Sequence, residues 1–427
     1  MNRKLLLKEY PIDMSAVCST ERPAQDRLVL TLTSLGMIAS VVAFLSFQQA
    51  FQYQLRPDEF YSANIVKSQI YYVARATEIT LLLSAGLVAF LFTNWQAIER
   101  GYLSRFALLL GVVLLMTARG YSLSDLFSTK LADASGPCPF FMSLLVFIGA
   151  CRRNWNLLGI TMVIMAALFS ALTLAGIAGL HTFTRQEGVA HVGGIVHALY
   201  WPASWIVLKD YPQHSLVRCL RFVPIVIFGF GSLFTQTRLL FVMLFALFVV
   251  YSFVQRRRRI PQATVWFVGV VFAVWVGLFT NVFLKDTRAF EKVAGVADAF
   301  SLRLTEDTRT GQLVSFAESV RPSELLLGKG SFATWQWGRQ PWVGVDVGYI
   351  SLLFFGGVPL LVTYVVTHVK PCLAVLRERR ASWQLAAAGI VLLWAINMFS
   401  SCYPDTVLDY YPVLFCVGAC ISREPSP

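Results

Sequence analysis

The chain has 427 residues, of which 56% are hydrophobic and only 14% are charged, and its mean hydropathy is +0.61. Because about a quarter of the residues in soluble domains are charged, this composition excludes an ordinary soluble protein and predicts an integral membrane protein. The net charge of +12 does not indicate nucleic-acid binding, because the basic residues form short clusters between apolar runs instead of a patch interleaved with aromatic residues.

The apolar runs predict a helical membrane domain. A bilayer core of about 30 Å needs about 20 mostly apolar residues per helix. By this measure the sequence predicts an all-α integral membrane protein with about twelve transmembrane helices, in a single polytopic domain over residues 1–427. The first span lacks a small-residue cleavage site after it, so we expect it to remain in the mature protein. The predicted spans are 28–47, 73–93, 104–118, 137–151, 155–177, 191–208, 217–236, 239–255, 262–283, 346–367, 384–401 and 408–422.

Basic clusters alternate along the chain in a way that predicts its orientation. The connections at 152–153, 256–259 and 370–380 are rich in Arg and Lys, whereas the intervening short connections hold fewer. Since Lys and Arg are retained on the cytoplasmic side of a membrane, we expect both termini to be cytoplasmic and the segment 284–345 to face outward.

The segment 284–345 is a long polar insertion between the ninth and tenth predicted spans. Connections of this length are unusual, and those that occur tend to be functional. Leu313, Phe316, Ala317 and Val320 follow the spacing of one helix face, so we expect the insertion to be partly helical. Such a segment could lie across the outer mouth of the helical bundle.

Charged residues at membrane depth are expensive and mark candidate functional sites. In this sequence they are expected to avoid the middle of the spans and to gather at the outer helix ends. The candidates that share this placement are Arg75, Glu78, Arg238, Arg303, Glu306, Asp307, Arg309, Glu318, Arg321 and Asp346.

Each candidate also has a structural interpretation. The three-residue spacing of Arg75 and Glu78 favours an ion pair on one helix face over a binding site. Arg238 could merely extend its charge to the interface, although a tight turn gives little structural reason for a charge there. Arg309 is expected just ahead of a helix, where backbone N–H groups also attract anions. Asp346 could be only an N-cap.

Glycines define two further motifs. Gly356, Gly357 and Pro359 in FFGGVPLL predict a kink in the tenth span. The stretch LLLGKGSF is not a phosphate-binding loop, because Gly330 stands where that motif requires Ser or Thr.

Several motifs in the second half of the chain occur in a definite order. TQTR, residues 235–238, forms a turn after the seventh span, and an arginine-containing loop leads to the GKG of residues 328–330. Asp346 then precedes Tyr349 by three residues and Gly356 by ten. In this order, together with a dozen spans and a long outer loop, the chain resembles the O-antigen polymerase and O-antigen ligase superfamily of bacterial envelope glycosyltransferases.

The resemblance implies a substrate and a location. The substrate would be an oligosaccharide carried on undecaprenyl pyrophosphate at the outer leaflet of the bacterial inner membrane, which makes 284–345 a periplasmic loop. Transfer to an acceptor sugar would need no metal, cofactor or nucleotide donor. The implied partners are the lipid bilayer, a flippase and a chain-length regulator, with no nucleic acid.

The resemblance also implies roles for particular residues. Arg238 and Arg309 match the turn and loop arginines that are thought to hold the pyrophosphate. Arg303 and Tyr349 are expected to contribute to substrate binding. Two guanidinium groups suit this task, because each binds phosphate oxygens in a fixed two-point geometry.

The acceptor hydroxyl must lose its proton as it attacks, so a carboxylate within reach could act as general base. Asp346 is the candidate, with Glu306, Asp307 and Glu318 as alternatives. Ligases of the superfamily carry His at the position of Asp346, whereas the D-V-G-Y of this chain is similar to the polymerases of O-antigen and exopolysaccharide. The resemblance therefore favours chain extension.

Three other functions stay open on the sequence alone. An O-antigen ligase would transfer the glycan to lipid A core. A secondary transporter would bind substrate near the middle of the membrane, on repeats and broken helices, but no repeat is visible and no acid is expected at the middle of a span. A nonenzymatic partner of an export machine would bind the lipid-linked donor without turnover.

Overall fold

The computed structural model of the protein is predominantly helical. The residues that it describes are 23–54, 68–120, 138–177, 193–209, 220–235, 238–254, 308–331, 333–337, 340–343, 345, 347–378, 380–399 and 407–423. Within these ranges one antiparallel hairpin accompanies the helices.

The helices follow one another along the chain, with the hairpin inserted before the longest carboxy-terminal helix. In chain order the elements are α1 (Pro23–Gln54), α2 (Gln69–Phe92), α3 (Tyr102–Gly120), α4 (Cys138–Phe141), α5 (Val146–Ala150), α6 (Trp155–Ile177), α7 (Gly193–Leu208), α8 (Val223–Thr235), α9 (Arg238–Val254), α10 (Thr308–Ser319), α11 (Pro322–Leu327), β1 (Thr334–Trp337), β2 (Gln340–Val343), α12 (Gly348–Glu378), α13 (Ser382–Asn397) and α14 (Val407–Ile421).

Some of these helices have the length and composition of membrane spans. Five helical stretches in the described ranges are long and apolar enough to cross a membrane, namely Gln25–Ser46, Gln69–Phe92, Tyr102–Gly120, Leu158–Gly176 and Gly348–Glu378. Large apolar side chains on them are exposed, as Leu115 on α3 and Ile164 on α6 illustrate. The prediction of a helical protein with membrane-spanning helices is confirmed at this level.

Five further apolar helices have only 10–17 residues, at Ile195–Leu208, Val223–Ser232, Met243–Val254, Ser382–Asn397 and Tyr411–Ile421. They coincide with predicted spans but are shorter than a bilayer core requires on its own. The predicted span 262–283 lies outside the described residues. The total of twelve spans and their orientation therefore stay predictions.

The core of the bundle lies around α13 and α14. Three consecutive alanines at 386–388 are fully buried, and α14 packs against α5, α12 and α13. Small side chains let neighbouring helices approach closely. Near the amino-terminal end of α13, the ring of Trp155 contacts those of Trp205 and Trp383, with centroids 5.4 and 4.8 Å apart.

The predicted span 137–151 is not a continuous helix. It consists of α4, a 3₁₀ turn at Met142–Leu145 and α5. The thirteen residues from Cys138 to Ala150 cover about 20 Å, at about 1.5 Å per residue in the α-helices and about 2.0 Å in the 3₁₀ turn. This segment is shorter than a bilayer core requires on its own, and residues 121–137 lie outside the described ranges, so the span at 137–151 stays a prediction.

Close backbone packing fixes the short helix α5 in place. A Cβ added to Gly149 would collide with the carbonyl oxygen of Phe415, and one added to Gly418 would collide with that of Val146. The backbones of α5 and α14 therefore lie against each other at two glycines, which is the kind of contact that small residues permit in membrane helices.

The predicted kink in the tenth span is confirmed. Helix α12 is interrupted at Gly357, whose φ of 69° is non-helical. In a regular helix the carbonyl of Phe355 would bond to the N–H of residue 359, but that residue is a proline and has no N–H. The kink thus leaves carbonyl groups in need of partners from outside the helix.

The described part of the long insertion is a small folded unit of α10, α11 and the hairpin. The hairpin pairs Thr334 with Val343 and Trp335 with Trp342. Phe316 of α10 packs edge-to-face on Trp335 and on Phe354 of α12, at centroid distances of 5.3 and 5.5 Å. The prediction of a partly helical segment is confirmed, and its contact with α12 attaches this unit to the helical bundle.

The buried face of α10 differs slightly from the predicted one. Phe316 and Val320 are buried and Leu313 is half-buried, as the spacing predicted, but Ala317 is exposed and Gln312 is buried in its place. The face is therefore rotated toward Gln312, because the hairpin and α12 approach α10 from that side.

Candidate functional site

Two charged residues and a tyrosine form a buried cluster between the second and the last helices. Nη1 of Arg75 donates to both carboxylate oxygens of Glu78, at 2.8 and 2.9 Å. The hydroxyl of Tyr411 on α14 donates to Oε1 of Glu78 at 2.6 Å. The exposed fractions of Arg75, Glu78 and Tyr411 are 6%, 0% and 1%. The interpretation of Arg75 and Glu78 as an ion pair is confirmed.

The position of this cluster follows from the pattern of α2. Arg75, Glu78, Leu82 and Ala85 are buried at helical spacing, so they share the face that packs into the bundle. Glu78 is the tenth of the 24 residues of α2, about 14 Å from the first at about 1.5 Å per residue. The acid therefore lies nearer the middle of the helix than the sequence predicted.

The buried carboxylate of Glu78 has both a counter-charge and hydrogen-bond donors. A charge removed from water is tolerated only when it is paired and hydrogen-bonded, and Glu78 has both a guanidinium and a phenol. Sequence reasoning found Arg75 and Glu78 but missed Tyr411, because that residue is 333 positions away and lies in an apolar run with no distinguishing pattern.

A second arrangement joins the long insertion to the kink of α12. The backbone N–H groups of Lys329 and Gly330 donate to the carbonyls of Phe354 and Phe355, each at 2.8 Å. Those are the carbonyls that the break at Gly357 releases from helical bonding. The turn 328–330 therefore provides the partners that the kinked helix needs.

The turn 328–330 also contacts the carboxy-terminal end of α3. Nη1 of Arg119 donates to the carbonyl of Leu327 at 2.7 Å, and the N–H of Ser331 donates to the carbonyl of Met116 at 3.2 Å. The hydroxyl of Ser331 is buried and has no hydrogen-bond partner among the described residues. The turn thus links α3, α11 and α12 at one end of the bundle.

Charges around α11 stabilise its first turn. The carboxylate of Glu324 accepts a hydrogen bond from the backbone N–H of Arg321 at 3.0 Å, and this bond lowers the pKa of the Glu324 carboxyl. Nζ of Lys329 lies 3.4 Å from Oε1 of the same carboxylate. Since both partners are about one-third exposed, the Lys329–Glu324 pair contributes little stability.

Tyr349, a predicted substrate-binding residue, has a structural contact. Its hydroxyl donates to the carbonyl of Ala395 at 2.7 Å, and the N–H of Gly348 donates to the carbonyl of Met398 at 2.9 Å. Ser351 also bonds both backbone groups of Val345 at 2.9 Å. These bonds fix the start of α12 against the end of α13, immediately beside the position of Asp346.

The other predicted site residues are only partly placed. Arg238 is the first residue of α9, and Arg309 is the second residue of α10. Arg309 thus lies inside the first turn of a helix instead of just ahead of it. Glu318 is exposed near the end of α10, without a described contact to the start of α12. Arg303, Glu306, Asp307 and Asp346 lie outside the described residues.

No protein-family model matches the chain, and no characterised protein matches it at significant similarity. The resemblance described above therefore stands on the motifs alone, and the function is argued from the residues. In the described ranges no group of three or more His, Cys, Asp or Glu side chains could hold a metal ion.

The structure brings some of the motifs together at one end of α12. The GKG turn contacts the glycine kink directly, α10 with Arg309 in its first turn packs on Phe354, and the bonds of Ser351 hold the residue that precedes Asp346. The cluster of Arg75, Glu78 and Tyr411 lies apart from these contacts, between α2 and α14.

Proposed function

We propose that the protein is a membrane glycosyltransferase that polymerises oligosaccharide repeat units carried on undecaprenyl pyrophosphate, at the outer leaflet of a bacterial inner membrane. The observation that supports it most directly is the contact between the turn 328–330 and the kink at 356–357. These two motifs are distant in sequence, yet two hydrogen bonds join them. Two of the motifs on which the resemblance depends, the GKG turn and the glycine kink, are therefore in direct contact.

The proposed reaction is a displacement at the anomeric carbon of the lipid-linked sugar. The acceptor hydroxyl oxygen attacks this carbon, and its proton passes to the carboxylate of Asp346. The bond between the carbon and the pyrophosphate oxygen breaks, and undecaprenyl pyrophosphate leaves with the electron pair. Because the leaving group gains negative charge, cations beside it stabilise the transition state, and Arg238 and Arg309 are proposed to supply them.

The backbone placement of the two arginines supports this assignment. Arg309 lies in the first turn of α10, which is attached to the kinked part of α12 through Phe316. Arg238 begins α9, which packs against α13. Met398, the residue that follows α13, accepts a hydrogen bond from the start of α12. Each arginine therefore stands at the start of a helix that contacts α12 itself or the helix fixed to its first turn.

The direct test is glycan extension by the purified protein. Incubation with lipid-linked repeat units alone is expected to produce a ladder of longer glycans, visible on a gel after mild acid release. No other acceptor is needed if the acceptor is a second repeat unit. Product that forms only when lipid A core is added would replace polymerisation with ligation.

The two arginines are expected to matter for turnover and not for folding. Arg238→Ala and Arg309→Ala should each lower the rate of ladder formation by about 10- to 100-fold, because a hydrogen bond to a charged group contributes about 1.5–3 kcal/mol and 1.4 kcal/mol is tenfold in rate. Initial rates at equal amounts of membrane-inserted protein measure the effect.

Arg321→Ala is a matched control, since Arg321 is an exposed arginine of the same insertion and, unlike Arg238 and Arg309, has no proposed role at the pyrophosphate. It should extend glycans at nearly the normal rate. Near-normal rates in both Arg238→Ala and Arg309→Ala would contradict the pyrophosphate assignment.

A secondary transporter is the second candidate, and the buried cluster favours it. An acid paired with an arginine near the middle of a membrane helix is typical of transport pathways, and the sequence did not predict one there. The extension assay separates the two functions. A transporter would move lipid-linked units or another solute across vesicles and would leave glycan length unchanged.

A further inference from the structure

Helix α11 exposes two adjacent leucines. Leu326 and Leu327 are 60% and 67% exposed, although the segment around them is rich in charged and hydroxyl side chains. Single exposed apolar residues are ordinary on a protein surface, whereas a pair of large ones in a short helix needs a partner that covers it.

The level of α11 relative to the membrane can be read from α3. Helix α3 has 19 residues, about 28 Å at about 1.5 Å per residue, which matches a hydrocarbon core of about 30 Å. Its last turn therefore lies at a boundary of the core. Arg119 in that turn bonds the carbonyl of Leu327, so α11 is held at the same boundary.

The exposed leucines continue the apolar surface of the neighbouring helices. Leu114 and Leu115 of α3 are 57% and 68% exposed, and Val358 and Val362 of α12 are 43% and 51% exposed. Backbone atoms of Leu326 and Leu327 lie against Gly357, directly before Val358. The exposed leucines of α11 thus lie next to the kink of α12, whose following residues carry exposed apolar side chains.

We propose that α11 is embedded in the interfacial layer of the bilayer, with Leu326 and Leu327 inserted among the lipid acyl chains. The partner is the phospholipid itself, and the exposed guanidinium of Arg119 lies at the level of the headgroups, as a cation at a helix end does when its stem follows the apolar surface. Short apolar elements of this kind enter the headgroup and acyl boundary by about 5–10 Å. The insertion 308–343 is thereby anchored to the membrane as well as to α12. This inference does not depend on the proposed enzymatic activity.

Depth-dependent fluorescence quenching tests the proposal on the full chain. Leu327→Cys is labelled with a small environment-sensitive fluorophore and reconstituted in vesicles of phosphatidylethanolamine and phosphatidylglycerol that contain nitroxide lipids. The identically treated wild-type protein provides the blank for its native cysteines. Ser323→Cys, exposed on the polar first turn of the same helix, is the aqueous control, and Val362→Cys on α12 is the control for a deeper position.

Quenching at Leu327→Cys should be stronger with the nitroxide near the headgroup than at the chain end, and stronger than at Ser323→Cys. A water-soluble quencher should quench the fluorophore at Ser323→Cys more strongly than the one at Leu327→Cys. Equal access of the aqueous quencher to both sites would overturn the proposal. Protection of residue 327 from both quenchers would also overturn it, because protein, such as a second copy of the chain, would then cover the leucines. Leu326→Cys repeats the measurement if Leu327→Cys does not fold.

Discussion

Glu78→Ala is expected to lower the free energy of unfolding by about 3–5 kcal/mol, because it leaves the buried guanidinium of Arg75 without its carboxylate. Native proteins are stable by only about 5–15 kcal/mol, so a loss of this size should reduce the amount of folded protein. Thermal unfolding of the detergent-solubilised protein, followed by size-exclusion chromatography after heating, measures it. Arg75→Ala is expected to have a similar effect, since it leaves the carboxylate unpaired.

The double variant Arg75→Leu with Glu78→Leu distinguishes charge from shape. It should recover most of the lost stability, because no charge then stays buried and apolar residues of similar size often replace an ion pair without loss.

Tyr411→Phe keeps the ion pair and loses one hydrogen bond, so it should lower the free energy of unfolding by about 1–3 kcal/mol. If Glu78→Ala were no less stable than Tyr411→Phe, the carboxylate would have to be solvated instead of buried.

The features that the sequence predicted correctly depend on neighbouring residues. The kink at Gly357 follows from two glycines and a proline within four positions, since each acts on the local backbone. The ion pair of Arg75 and Glu78 follows from their spacing on one helix. Membrane-spanning helices follow from composition over a window of about 20 residues.

The features that the sequence did not predict depend on distant contacts. Tyr411 joins Glu78 only because the fold brings the hydroxyl of Tyr411 on α14 within hydrogen-bond distance of α2, and nothing near Tyr411 marks it. The broken segment at 138–150 is apolar apart from Ser143, so its hydropathy is the same whether it folds as a span or as short pieces. Its shape depends on the backbone contact of Gly149 with Phe415, which no local pattern encodes.

The candidate enzymatic site illustrates the same division. The order of motifs from residue 235 to 357 can be read directly from the sequence, whereas the contact of the GKG turn with the kink of α12 requires the fold. The N–H groups of Lys329 and Gly330 find the carbonyls of Phe354 and Phe355 because a helix break must be compensated. A glycine pair in a loop and a glycine pair in a span are separate signals in the sequence and one contact in the structure.

Gly357→Ala is expected to lower the free energy of unfolding by about 3 kcal/mol or more. This sum combines a backbone conformation that only glycine adopts readily, with φ 69° and ψ −167°, at about 1–3 kcal/mol, with the loss of the hydrogen bonds to the turn, at about 0.5–1.5 kcal/mol each. A Cβ at Gly357 would lie 2.6 Å from the carbonyl carbon of Leu327 and 2.7 Å from the nitrogen of Gly328, and it would collide with the carbonyl oxygen of Leu326. Gly328→Ala should lower the free energy of unfolding by a similar amount, because Gly328 has a φ of 72°. A Cβ at this position would also collide with the backbone of Phe355, Gly356 and Gly357. Thermal unfolding midpoints measure both.

Gly101→Ala is the matched control for backbone strain, because Gly101 has a φ of 78° and nothing within 4 Å of an added Cβ. Gly101→Ala should lower the free energy of unfolding only by the backbone strain of about 1–3 kcal/mol. A loss as large as that of Gly357→Ala would remove the close backbone approach as the cause. The double variant of Gly328 and Gly357 gives the sharper result. Both substitutions break the same contact between the turn 328–330 and α12, so the second should add less than its single cost. Full additivity would mean that each glycine acts alone and that the turn does not compensate the kink.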